Sequence, residues 1–340
     1  MRRTAGGGGI TAPRPAVAVE AAAGAFAIAF SGILFRLADV SPSTGAFFRS
    51  AYAVPALLVI ARADRRRSAP VPLRERAVAW AAGLWLAVDL ILWNHSIDAI
   101  GAGLGTVLSN TQVIMVPVAA WAFWGERPGR RTLLAGIAVT AGIVLISGVV
   151  GASAYGPRPA AGVVFGILTG VAYTGFILLV RQSGRGRGVA GTLCDATAAC
   201  AVACALAGLA VGDLDLTPGW RATGWLALLA MTSQVIGWLL ITTSLARLPA
   251  ALTAITLTLQ PVAAVIFAGI ILGESPSAWQ ISGVVVILFA VLLASSGGRT
   301  TSAPAVTEEQ PAEAVRAGPA SRASPARPRL GGRTGRPSSR

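Results

Sequence analysis

Two stretches, QVIMVPVAAWAFWGERP at residues 112–128 and QPVAAVIFAGIILGESP at residues 260–276, decide how this chain folds. Each opens on a glutamine, runs apolar to a Gly-Glu pair and meets a proline two residues later. Sliding the sequence against itself by 148 residues superposes Gln112 on Gln260, Gly125-Glu126 on Gly273-Glu274, and Pro128 on Pro276. Upstream, Ser96 meets Ser244 and Leu104 meets Leu252; with a one-residue gap, Gly136 meets Gly283. The chain therefore reads as two copies of one unit.

The unit is built for lipid. Of 340 residues, 54% are hydrophobic and 12% charged, with a mean hydropathy of +0.68. A soluble domain carries about 25% charged residues. Apolar runs near residues 17–37, 44–62, 77–97, 102–123, 131–150, 160–181, 189–211, 222–245, 249–272 and 279–297 are each about long enough to cross a hydrocarbon core roughly 30 Å thick. Lipid offers no hydrogen bonds to the backbone, and the alternating pattern of barrel strands is absent, so the runs are expected to be helices. The fold class expected is an all-α membrane protein of ten transmembrane helices, with one five-helix repeat in 17–150 and another in 160–297. Five is odd, so the second copy is expected to lie inverted relative to the first. Inverted repeats are a recurrent carrier architecture, with the substrate site near the midplane where the repeats meet.

Arginine fixes the expected orientation. The net charge is +14 and there is no lysine. With residues 1–16 as a cytoplasmic tail, 24 arginines fall in inside segments, eight of them in the tail 298–340, against Arg36, Arg158 and Arg221 outside. That bias predicts both termini in the cytoplasm of a bacterial cell with the chain in its inner membrane. The same placement argues against nucleic acid, which needs clustered base-reading or stacking partners. The run after Arg14 is too long for a signal peptide and is expected to stay as the first helix. The tail is rich in Pro, Ala, Ser, Gly and Arg, and is expected to be disordered with some affinity for anionic lipid. Cys194, Cys200 and Cys204 lack metal-site spacing and read as small buried hydrophobes.

Polar groups at membrane depth cost free energy and persist mostly beside a partner or a wet path. Asp89 is the deepest; Trp85, Asp89, Leu92 and Ser96 share a helical face by spacing. A proton relay, a cationic substrate group and a pairing with a neighbouring helix are all open to it. Arg49 with Phe48 and Tyr52 forms an aromatic-cationic patch that can bind a carboxylate, pair with Asp89 or snorkel outward. Asn110 and Gln112 in the fourth run, and Thr253, Thr256 and Gln260 in the ninth, are corresponding polar stretches of the two copies. Gln234 and Trp238 make a further pair, four residues apart. Pro117 and Pro261 each free a helical carbonyl and are candidate hinges. Glu126 and Glu274 fit capping of the helices that follow them.

The serine turn Ser41-Pro42 ahead of Thr44-Gly45-Ala46-Phe47-Phe48-Arg49, the segment Leu259-Gln260-Pro261-Val262, and the Gly-Glu break closing the fourth and ninth runs together resemble the EamA family of the drug/metabolite transporter superfamily. The resemblance spans about residues 20–297; Pro117 lies five residues after Gln112 where Pro261 directly follows Gln260. It implies a secondary carrier, often an exporter of amino acids or other metabolites, with no bound cofactor and no enzymatic activity. The expected partners are a small-molecule substrate, membrane lipid and a proton as coupling ion, in a monomer or homodimer. The competing expectation is a non-transporting scaffold or sensor that acts through the basic tail.

Overall fold

The computed structural model describes residues 15–65, 72–125, 127–150, 154–183, 189–245, 247–248 and 250–295. The expected tail 298–340 and the break residue Glu126 lie outside them. Among the described residues every regular element is helical: α1 (Pro15–Ala29), α2 (Ser31–Ala38), α3 (Pro42–Arg65), α4 (Leu73–Ile100), α5 (Ala102–Ser109), α6 (Gln112–Trp124), α7 (Arg130–Ile146), α8 (Pro159–Ser183), α9 (Val189–Val211), α10 (Gly219–Leu229), π-helical turns over Ala230–Gly237, α11 (Trp238–Leu245), α12 (Ala250–Leu272) and α13 (Ala278–Ser295). By length and composition, eight segments are apolar enough to cross a membrane: α1–α2, α3, α4, α5–α6, α8, α9, α10 through α11, and α13. The apolar stretch Thr258–Leu272 of α12 is shorter, and α7 has 17 residues.

Three of the expected runs are interrupted. The first bends at Phe30 and the eighth passes through the π-helical turns. The fourth begins afresh at Gly101, whose φ of 91° suits glycine, and breaks again at Asn110-Thr111. At that second break short bonds from the Asn110 and Thr111 amides to the Val107 and Leu108 carbonyls tighten the turn. By contrast, α6 runs through Pro117 and α12 through Pro261.

Packing follows the 148-residue shift. Helix α3 lies against α9, α7 against α13 and α5 against α12, each a helix meeting its own counterpart. The α4–α8 pairing is matched by α1 and α2 against α10 and α11. Lipid is as apolar as leucine, so helices associate through close van der Waals contact at small residues. At Gly83 a Cβ would stand 2.2 Å from the Ala196 carbonyl oxygen, and at Gly283 one would stand 2.6 Å from that of Gly142. Backbones touch at both crossings. Gly83→Ala is therefore expected to cost about 1–3 kcal/mol by overpacking. Thermal unfolding in detergent checks it, with Gly224→Ala, whose Cβ would meet nothing within 4 Å, as the mild control.

Candidate functional site

Arg49 lies inside α3 with 6% of its surface exposed. A guanidinium so placed persists only if its donors are met. Its Nε donates to Gln234 Oε1 at 3.1 Å and an Nη donates to Ser233 Oγ at 3.2 Å. The guanidinium carbon stands 5.5 Å from the centre of the Trp93 ring, within cation–π range. Gln234 is itself held, donating from Nε2 to Thr197 Oγ1 at 3.2 Å. Snorkelling is thus replaced by a buried knot joining α3, α4, α9 and the π-helical turns. Those turns aim two consecutive side chains, Ser233 and Gln234, at one guanidinium, a placement typical of π-helical insertions at functional positions.

Asp89 is 6% exposed on α4 and acts electrostatically on Arg49, although no ion-pair contact joins them. Trp93, one helical turn on from Asp89, is the α4 ring that meets Arg49. Trp85 packs its ring over Gly175 of α8, and Ser96 donates to the Gly162 carbonyl of the same helix at 2.8 Å. Tyr173 on α8 feels both charges. Its ring sits 6.0 Å from Trp238 and 5.7 Å from Phe176, while Phe176 and Trp238 meet edge to face at 5.5 Å. A buried arginine and a buried aspartic acid, with three aromatic rings beside them, therefore lie where the two repeats meet. Tyr52 instead meets Phe48, the ring centres 5.1 Å apart and the planes tilted by 41°.

The polar stretches of the fourth and ninth runs stand apart from this knot. Asn110 donates to the Thr106 carbonyl of its own run at 2.8 Å, Gln112 opens α6 half-buried, and Thr256 is buried beside half-buried Gln260 on α12. Among the described residues no hydrogen bond connects these four to Arg49. The Thr253 side chain lies outside the described residues.

Capping is corrected at Glu274. Helix α13 is capped by Ser277 and Gln280, whose side chains bond each other's amides at 3.3 and 3.0 Å in a capping box. Glu274 reaches away, to the other repeat: its carboxyl accepts the Ala102 amide at 2.6 Å and the Gly103 amide at 3.1 Å, at the first turn of α5. Burial holds this carboxyl above the usual carboxylate range, against the pull of those two amides and of Arg36. Gln280, fully buried, also accepts the Tyr155 amide and donates to the Ile146 and Tyr155 carbonyls. Of these residues, Ser233, Trp93, Thr197, Tyr173 and Gln280 carry no sequence signal beyond polarity or aromaticity in an apolar run. The Gly-Glu break did mark Glu274.

A helical membrane bundle with a buried charged centre between two similar halves defines a transporter-like class. The family model described as the EamA-like transporter family matches residues 17–148 and again 160–296, so the chain belongs to that family and is a multi-pass membrane protein. No curated protein sequence matches the chain. A protein of known crystal structure aligns with a TM-score of 0.56 and 12% identity, over 83% of this chain and 96% of that one, which shows likeness of fold alone.

Two outcomes follow from this geometry. Gln234→Leu leaves the buried Nε of Arg49 without its acceptor and is expected to cost about 1.5–3 kcal/mol, read by thermal unfolding in detergent. Because the folded chain keeps the Glu274 proton to higher pH than the unfolded chain, stability is expected to fall as pH rises from the ordinary value of 4.5 toward the raised one. Glu274→Gln should flatten that slope.

Proposed function

We propose that the protein is a secondary carrier that moves a small metabolite, an amino acid or a related compound, out of the cell by alternating access. What carries the reading is the basic and the acidic side chain buried together, Arg49 on α3 and Asp89 on α4, set among Trp93, Tyr173 and Trp238. Arg49 keeps a second Nη for a carboxylate after its bonds to Ser233 and Gln234. Asp89 faces the same space and suits an ammonium group or a proton in transit. The aromatic rings supply the apolar walls that small-molecule sites need.

Ten spans in two inverted halves complete the reading, with both termini in the cytoplasm of a bacterial inner membrane. Support comes from the arginine distribution, the match of the family model to both halves, and the pairing of helices with their counterparts. Pro117 and Pro261 then serve as flexure points in the two matched spans, and Asn110, Gln112, Thr256 and Gln260 line the way to the centre. A proton is the coupling ion that Asp89 suits.

The test is flux. In proteoliposomes loaded with candidate amino acids, Arg49→Ala is expected to lower transport by at least about a hundredfold, since it removes a buried charge-assisted contact worth about 3 kcal/mol. Asp89→Asn should abolish any response to a pH gradient. Transport that survives both substitutions unchanged removes the charged centre from the mechanism. Deleting residues 300–340 should leave flux intact; absence of flux in the intact protein would favour the scaffold reading.

A further inference from the structure

Glu274 accepts backbone amides from the first turn of a helix in the opposite repeat. Its surroundings are shaped for that contact. A Cβ on Gly101 would stand 2.7 Å from the carboxyl, and one on Gly103 would stand 3.3 Å from it and 3.0 Å from the Val265 Cα of α12. Glycine at 101 lets the acid reach the amides, and glycine at 103 lets α5 lie close on α12. The partial positive charge of a helix N-terminus then meets a carboxyl that is 8% exposed.

The contact lies at one face of the bundle, where α4 ends and α5 begins. Past the break at Asn110-Thr111 the same span leaves α12: α6 packs on α8, α13 and α7. Its far end exposes Trp121, Phe123 and Trp124, and Gly125 has no neighbour within 4 Å of a Cβ. The fourth and ninth spans thus diverge from a joint at the Gly101 face. The sequence makes that joint one-sided. The 148-residue shift sets Pro249 and Ala251, neither of them glycine, where Gly101 and Gly103 stand.

We infer that Glu274, seated on the Ala102 and Gly103 amides, is a latch that holds the Gly101 face of the bundle shut and must release for that face to open. The latch rests on the carrier reading only in that its release belongs to a transport cycle. It is a positioning residue acting through α5, and it biases the resting protein toward one closed face.

Accessibility tests it without a substrate. Val265→Cys is placed in a chain whose three cysteines are replaced by alanine, and a membrane-impermeant maleimide is applied to each side in turn, in spheroplasts and in inverted vesicles. Adding Glu274→Gln is expected to speed labelling from one side by at least about tenfold, the loss of one charge-assisted hydrogen bond. Gly101→Ala, which displaces the carboxyl while keeping it, should do the same and serves if Glu274→Gln does not fold. Unchanged labelling in the variants that fold, or equal acceleration from both sides, overturns the latch. Flux of an amino acid is measured on the unsubstituted protein in parallel. Accelerated labelling with no flux in that protein removes the carrier reading and leaves the latch standing.

Discussion

A backbone amide or carbonyl that loses its helical partner inside lipid finds no water to replace it, and this constraint shapes the whole bundle. Continuous helices meet it automatically. Each interruption needs its own remedy, and each remedy brings a side chain or a neighbouring helix with it. At Gly101 the freed amides of α5 are taken by Glu274. At Asn110-Thr111 the side chains bond back to the Thr106 and Leu108 carbonyls. In the eighth span the π-helical turns keep the ladder closed with a wider loop. The places where the helix departs from regularity are the places where polar chemistry enters the membrane.

The same economy governs how the halves associate. With no hydrophobic drive between helices in lipid, the repeats are held by backbone-to-backbone crossings such as Gly83 on Ala196 and by a few buried polar bonds. The Arg49 knot spends its donors on Ser233 and Gln234 from the other half. On the carrier reading proposed above, the groups that would meet a substrate also hold the two halves together, so a ligand that draws Arg49 away would also loosen the seam between repeats.

Most of the helices were legible in the sequence because hydropathy and turn residues are local signals. Ser41-Pro42, Thr217-Pro218 and Gly273 to Pro276 mark helix ends, and α9 spans the residues expected from composition alone. The repeat was legible because duplication preserved Gln112 and Gln260 with their Gly-Glu breaks. Arg49, Asp89, Gln234 and Trp238 could be picked out because polar and aromatic groups are conspicuous in apolar runs. Their partners could not. That Trp93 meets Arg49 while Trp85 packs on α8 depends on how α4 is rotated against its neighbours, which spacing leaves open. That Glu274 reaches Ala102, 172 residues away, depends on tertiary packing, and no local rule encodes it. The π-helical turns are equally silent, since a single extra residue in a helix leaves composition untouched.

Those turns carry a consequence of their own. A π-helical turn is, in effect, one residue inserted into an α-helix, absorbed locally instead of being passed along the span. Removing one residue between Ala230 and Gly237 would let the span revert to regular α geometry with the flanking helices keeping their faces, while residues inside the segment would shift by one position, a rotation of about 100°. Trp238 would stay against Phe176 and Tyr173, whereas Ser233 and Gln234 could no longer both meet Arg49. The angular registration between the aromatic wall and the cationic centre is therefore stored in the count of residues in one short segment, independent of which residues fill it.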